Sequence, residues 1–339
     1  MRLLLFADLH MCPRASIISK WGTKYPSRLE NCIESVNWLE RKAEELGCEY
    51  IINLGDFFDR PDLTSETITA CNEIKWSDIM HYHLVGNHDA SNSSLTFNSV
   101  NCLSAPNHVI ISEPMMLPYS NICFLPYITE CDRKPLKEYF PEISNQPRII
   151  LSHNDISGLQ LGPVVSKTGF SLEEIEANCD CWINGHLHSG QAITPKVINL
   201  GNLTGKDFGE DALKHKHNIA ILDTKDLSVT YIENPYAYNF YKLQIDCESD
   251  IYCLDQLKNN AVLSIKCEQS LVEAVKQKIS TLSNIVESRL IITKNYTEST
   301  ETTEEIDLSV DHLARFIEYC KATIENTAIL EEEIAEVCK

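Results

Sequence analysis

The chain of 339 residues contains no run of eighteen apolar residues, which excludes a membrane span legible as hydropathy. Its N-terminus, MRLLLFADLH, meets an acid and a histidine too early for a secretory signal, so a cytoplasmic protein without a membrane partner is expected. Paired-cysteine motifs are missing too: the 14 cysteines are scattered and form no CxxC. Cys179 and Cys181, the one close pair, read as packing residues alternating on a strand, with the thiols reduced. There is no basic excess. A formal net charge of -20 sets aside proteins that hold nucleic acid by a basic face of their own. A nucleic-acid role would need bound cations or a partner to offset that field. No internal repeat is visible.

What remains is ordinary soluble composition, 43% hydrophobic and 23% charged, in a length that suits a large domain with a smaller one. Residues 1 to about 238 read as strands alternating with helices. LLLFA at 3–7 has strand length. Ser27 and Glu30 form a capping-box pattern ahead of a helical stripe of Leu29, Ile33, Val36, Leu39, Ala43 and Leu46, which Gly47 stops. YIINL at 50–54 is the next strand, a polar segment around 64–79 the next helix, and HYHLV at 81–85 the next strand. One of His81 and His83 is expected to face away from the core, and His215 and His217 to lie in an exposed loop. RIILS at 148–152 and CWIN at 181–184 continue the pattern, with a helix capped by Ser171 and Glu174 between them. NIAILD and LSVTYIE then read as a hairpin. The expected fold class is layered α/β with catalytic loops at strand ends.

From 239 to 295 the pattern β-α-β marks a small α+β domain. Residues 296–306 are a polar, acidic linker. Beyond it, 307–339 carry an amphipathic helix whose apolar stripe includes Leu313, Phe316, Ile317 and Cys320.

The chemistry sits at the ends of the apolar runs. D-L-H (Asp8, His10) closes the first, G-D-F-F-D (Asp56, Asp59) the second and G-N-H-D (Asn87, His88) the third. S-H-N-D (His153) and G-H-L-H (His186, His188) close two more. Aspartate, histidine and an asparagine carbonyl are donors that suit manganese, iron or zinc. Seven such groups exceed the needs of one metal but fit two if one carboxylate bridges, and Asp56 is the natural bridge.

These five motifs in this order resemble the calcineurin-like metallophosphoesterase superfamily over residues 1 to about 235. The resemblance implies an α/β/β/α sandwich and two divalent cations, Mn²⁺ or Mg²⁺. One cation would lie on Asp8, His10, Asp56 and His188, the other on Asp56, Asn87, His153 and His186. His88 would be the catalytic histidine and Asp59 its orienting partner. Two such cations polarise a phosphoryl group and lower the pKa of water.

Substrate is read from finer features. Protein phosphatases of this fold resemble GDxVDRG with GNHE; here Arg60 is present, but Pro61 and Asp89 depart from that pattern. GDFFD with a following proline, and VGNHD, are similar to SbcD-type nucleases, and so is VINLGNLTGKDFGED with Gly201, Phe208, Gly209 and Glu210, although Asn202 and Leu203 replace the usual serine and proline. That resemblance implies a Mn-dependent DNA exonuclease with single-strand and hairpin endonuclease action, used in DNA repair or recombination. It further implies a capping domain at 239–295, a homodimer, and an SMC-like ABC ATPase (SbcC-type) docked on the C-terminal helix. The compact length suggests a bacteriophage recombination endonuclease subunit, which would act in the host cytoplasm. A metal-dependent protein or nucleotide phosphatase, and a catalytically silent scaffold, stand as alternatives.

Overall fold

The structure, a computed structural model, describes residues 1–140, 149–161 and 164–293. They belong to one compact unit, Met1–Lys294. The acidic linker and the expected docking residues Leu313, Phe316, Ile317 and Cys320 lie outside the described residues.

Two six-stranded sheets carry the fold. The first contains β1 (Arg2–Phe6), β2 (Tyr50–Asn53), β3 (Met80–Leu84) and β4 (His108–Ile111). These run parallel, and the hairpin of β15 (Asn218–Asp223) and β16 (Ser228–Glu233) is added antiparallel beside β1. The second, in the order β13-β14-β12-β7-β6-β5, is built from β5 (Met115–Met116), β6 (Ile122–Leu125), β7 (Ile149–Ser152), β12 (Cys181–Asn184), β13 (Gln191–Ala192) and β14 (Val197–Asn199). Short pairings of β8 (Ile156–Ser157) with β11 (Phe170–Ser171) and of β9 (Gln160–Leu161) with β10 (Val164–Val165) decorate its edge.

Residue parity explains the layering. Leu3, Leu5, Ile52 and Leu84 from the first sheet meet Phe124, Leu151 and Ile183 from the second in one core. The alternate residues Leu4, Phe6 and Ile51 face Leu29, Val36 and Leu39 of helix α1 (Ser27–Glu45). Ile150 and Trp182 face Ile175 of α3 (Leu172–Asn178) on the far side. Strands buried on both faces read as continuous apolar runs, which is why they were visible in the sequence. The result is the α/β/β/α sandwich.

Four local expectations change. Ser27 does not cap α1: Pro26 stands at the N-cap, and Glu30 instead accepts the backbone N–H groups of Lys24 and Tyr25. The helix expected over 64–79 is only α2 (Ser65–Cys71), because Ile74 and Trp76 leave helical spacing to pack into the core. His81 and His83 share one face of β3, as residues two apart on a strand must. Their rings stack at 5.9 Å, and both are fully buried. His217 is buried rather than exposed, donating from Nδ1 to the Asn202 side chain at 2.8 Å.

A three-stranded parallel sheet, β17 (Asn239–Ile245), β18 (Ala261–Glu268) and β19 (Ile285–Thr293), follows with helix α4 (Val272–Ser280). Its own core includes Ile245, Leu263, Ile265 and Val275. Phe240 and Val262 also pack with Ala15, Ile18 and Phe208, so its first strands are anchored to the loops below β1 and after β14.

Behind β3 lies a buried histidine cluster. His81 Nε2 donates to Glu40 Oε1 at 2.9 Å, and His83 Nε2 and His108 Nδ1 are 3.1 Å apart beside Trp76. Burial, reinforced by the other histidines, holds His83 well below the usual histidine range, and burial with His81 lowers His108 to about 4. Both rings are neutral in the fold but protonate near pH 6.5 once unfolded, so the unfolded state binds more protons on acidification. Stability is full above about pH 6.5 and falls as the pH drops towards 4, for His83 by up to about 1.4 kcal/mol per pH unit. Urea denaturation of the metal-loaded protein should show this slope, and His83→Leu should flatten it; an equal slope in the variant would contradict the assignment.

Candidate metal centre

All five motif clusters meet beyond the C-terminal ends of β1, β2, β3, β7 and β12. The β1–β2 pairing continues past the strands: Leu54 N–H donates to Phe6 O at 2.8 Å, Asp8 N–H to Gly55 O at 3.0 Å and His10 N–H to Asp56 O at 3.0 Å. To turn their side chains into one space, Asp8, His10, Asp56 and His186 adopt left-handed backbone, with φ of 51°, 46°, 53° and 72°. Non-glycine residues rarely do so, and such strain concentrates at functional sites. Two glycines make room. A Cβ on Gly86 would stand 2.1 Å from Asp56 Oδ1, and one on Gly55 2.3 Å from the His153 ring.

The donors converge in two groups. His10 Nε2 and His188 Nε2 face each other at 2.9 Å, with Asp8 Oδ1 and Asp56 Oδ2 at 3.9 and 3.7 Å from His10 Nε2. His153 Nε2 lies 3.3 Å from the same Asp56 Oδ2 and 3.2 Å from Asn87 Oδ1, which is itself 2.9 Å from His186 Nδ1. Each aspartate anchors one oxygen and presents the other. Asp8 Oδ2 accepts the His186 N–H and Asp56 Oδ1 the His88 N–H. Burial opposes ionisation of Asp56, but His153, His10 and His88 outweigh it and hold the carboxyl well below the usual range.

This set fits two divalent cations on the chain's own geometry. Asp8 Oδ1 is buried without a hydrogen-bond partner, two imidazole nitrogens oppose each other with no acceptor between them, and Asp56 Oδ2 faces both groups. The triplets Asp8–His10–His188 and Asp56–His153–His186 each bring their ligand atoms within 4.8 Å of one another.

The sequence model of calcineurin-like phosphoesterases matches residues 1–190 of the 339. The chain belongs to the calcineurin-like phosphoesterase family. As a family member it is a metal-dependent phosphoester hydrolase whose fold implies two divalent ions. No curated protein matches the chain. Among solved structures it is similar to a dimetal phosphatase from Danio rerio at 14% identity, over 69% of this chain and 98% of that one, with a TM-score of 0.41. It is also similar to a metallophosphoesterase from Sphaerobacter thermophilus at 14% identity, over 69% and 88%, with a TM-score of 0.30. Neither likeness bears on substrate.

Around the donors of this phosphoesterase stands a ring of carboxylates. His188 Nδ1 donates to Glu210 Oε1 at 2.8 Å, and His186 Nε2 to Asp155 Oδ1 at 3.1 Å. Burial works against the Glu210 charge, but the His188 contact prevails and lowers its carboxyl to about 2. His153 Nδ1 donates to Leu54 O at 2.7 Å. Such partners fix ring orientation and raise ligand basicity.

Asp59 is a partner of His88, as expected, but through its backbone rather than its side chain. Its carboxylate lies 3.4 Å from His10 Nδ1 and 2.5 Å from Lys206 Nζ, and only its backbone carbonyl accepts from His88 Nδ1, at 2.9 Å. The physical reason is reach: in the turn after β2, the carbonyl points at His88 while the side chain runs under His10. Asp89 clamps the two acidic loops together, accepting the N–H groups of Phe58 at 2.9 Å and Gly86 at 3.0 Å. Burial, then the Asp56 charge, pushes the Asp89 carboxyl up to about 8.

The sequence reading therefore missed Glu210, Asp155 and Lys206 as supports. Asp155 was signalled by its place two residues after His153. Glu210 stood in the noticed segment, but its partner, 22 residues earlier, is found only in the fold. Expected outcomes are specific. Glu210→Ala should weaken Mn²⁺ binding about 10- to 100-fold by calorimetric titration. Gly86→Ala should abolish Mn²⁺ uptake at the donor groups around Asp56 while leaving the far-UV circular dichroism native; full Mn²⁺ stoichiometry in that variant would refute the cradle.

Proposed function

We propose that this phosphoesterase is the nuclease subunit of an SbcD-type DNA-processing complex, hydrolysing DNA phosphodiesters with two divalent ions, Mn²⁺ by preference. The observation that carries the reading is the segment Lys206–Glu210. It returns from β14 to the metal donors, and Glu210 buttresses His188 from the Phe-x-Glu motif that resembles that branch. The appended sheet β17–β19 with α4 occupies the stretch where SbcD-type proteins carry their capping domain.

When bound, the ions supply Lewis-acid activation of the phosphoryl group and an acidified water. The chain's residues do the rest. Asp56, whose Oδ2 faces both donor groups, would be held in common by the two ions. His88 has Nδ1 committed to the Asp59 carbonyl, so Nε2 is the nitrogen that donates a proton to the departing sugar oxygen. Lys206, 2.5 Å from the Asp59 carboxylate, compensates that acid beside His10. The ions would offset local repulsion of DNA, while an SMC-like ATPase partner supplies the broader binding surface. Docking of that partner is assigned to Leu313, Phe316, Ile317 and Cys320, and the assembly is taken as a homodimer of the nuclease with two ATPase chains.

One feature favours the second reading, a phosphomonoesterase: Arg60 follows Asp59 as in the phosphatase motif and lines a cavity with Arg14 next to the centre. Incubation with Mn²⁺ and either labelled linear DNA or p-nitrophenyl phosphate separates the two. DNA degradation should be abolished by EDTA and reduced about 10²- to 10⁴-fold by His88→Ala, with Mn²⁺ binding retained. Monoester turnover with intact DNA would reject the nuclease. Co-purification with an SMC-like ATPase should be lost when residues 306–339 are deleted; retention would reject the docking assignment.

A further inference from the structure

We propose that Tyr127 and the groove beside it seat a nucleobase next to the scissile diester, which rests on the nuclease reading above. Tyr127 follows β6 by two residues, and its N–H donates to Val85 O at 3.0 Å, fastening it to the loop that carries Asn87 and His88. Its half-buried ring stands against the His186 ring, 5.8 Å between centroids at an angle of 38°. An aromatic face thus directly adjoins a donor of the second cation group.

Tyr127 opens onto a cavity of about 410 Å³ that Ser93, Ser94, Thr129, Lys134 and Tyr139 also line. That volume falls in the range of small-ligand sites. Its chemistry is a flat ring, hydroxyls of which Thr129 and Ser94 already donate to Asp132 and Asn92 and so can accept, and one exposed ammonium. Asp132, the acid among the lining residues, accepts the Thr129 hydroxyl at 2.6 Å, and Tyr139 Oη accepts the Lys134 N–H at 2.8 Å. A nucleobase matches each element: its π-face stacks on Tyr127, its edge meets the hydroxyls, and the next phosphate along the strand meets Lys134. Stacking tolerates every base, because all four have a π-face, so the groove confers preference for nucleic acid over other phosphoesters without reading sequence.

The test uses the full chain with Mn²⁺ and two single strands, a short thymidine oligonucleotide and the same backbone built of abasic tetrahydrofuran units. Wild type should show a KM about tenfold higher for the abasic strand, the size expected for one stacked base. Tyr127→Ala should bring the ratio of the two KM values close to one, and Tyr127→Phe, which keeps the ring, should preserve it. Equal KM values for both strands in wild type would overturn the proposal even if Tyr127→Ala fails to fold. So would a ratio unchanged in Tyr127→Ala. Cleavage of neither strand, with p-nitrophenyl phosphate still turned over, would overturn the nuclease reading and this inference together; cleavage with no effect of the bases overturns this inference alone.

Discussion

Four donor residues held in left-handed backbone are the constraint on which the site depends. Asp8, His10, Asp56 and His186 would each relax more readily as glycine, but glycine has no side chain to offer a cation. Each non-glycine left-handed residue costs on the order of 1–2 kcal/mol, and four of them represent a large share of an ordinary domain's stability. What offsets the cost is the two-sheet core directly beneath. Ala7, Leu54 and Leu9 flank the donors and are fully buried, so the strained turns are continuations of strands that have no freedom to move. Arg28 adds to this from α1. Fully buried, it donates to Leu9 O at 2.8 Å and to Gly205 O at 3.2 Å, joining the first donor loop to the segment that carries Lys206 and Glu210.

The concentration of acid follows from the same geometry. Asp56, Asp89 and Glu210 are buried within a chain already at -20, and each has a separate means of tolerating its surroundings. Asp56 is surrounded by imidazoles, Glu210 is paired with His188, and Asp89, buried and facing the charge of Asp56, has its carboxyl pushed up while both its oxygens accept backbone N–H groups. Carboxylates in one small volume are thus pushed in opposite directions because their neighbours differ.

Much of this was legible in the sequence, and the parts that were not share a cause. Strands buried on both faces announce themselves as apolar runs, and the residues just past their ends include all seven donors. Local spacing could not reveal which backbone or side-chain atom of Asp59 turns to which histidine, since the choice depends on where β3 delivers His88. Nor could it reveal that Glu210 meets His188. The segment at 72–79 looked helical because polar residues dominate it, yet the tertiary demand for Trp76 beside the histidine cluster overrode that propensity. His217 looked exposed amid lysines, but Asn202 offers its Nδ1 a buried acceptor that local spacing does not reveal.

The hydrogen bonds that carry β1–β2 pairing into the donor loops have a consequence for how the protein comes to hold its ions. A chelate assembled by the metal itself, as in a zinc finger, makes folding conditional on metal supply. Here the turns are set by strand register and a sealed core, so the chain is preorganised to receive cations after it has folded. The cations would then stabilise a scaffold that the strands already define rather than decide whether it forms.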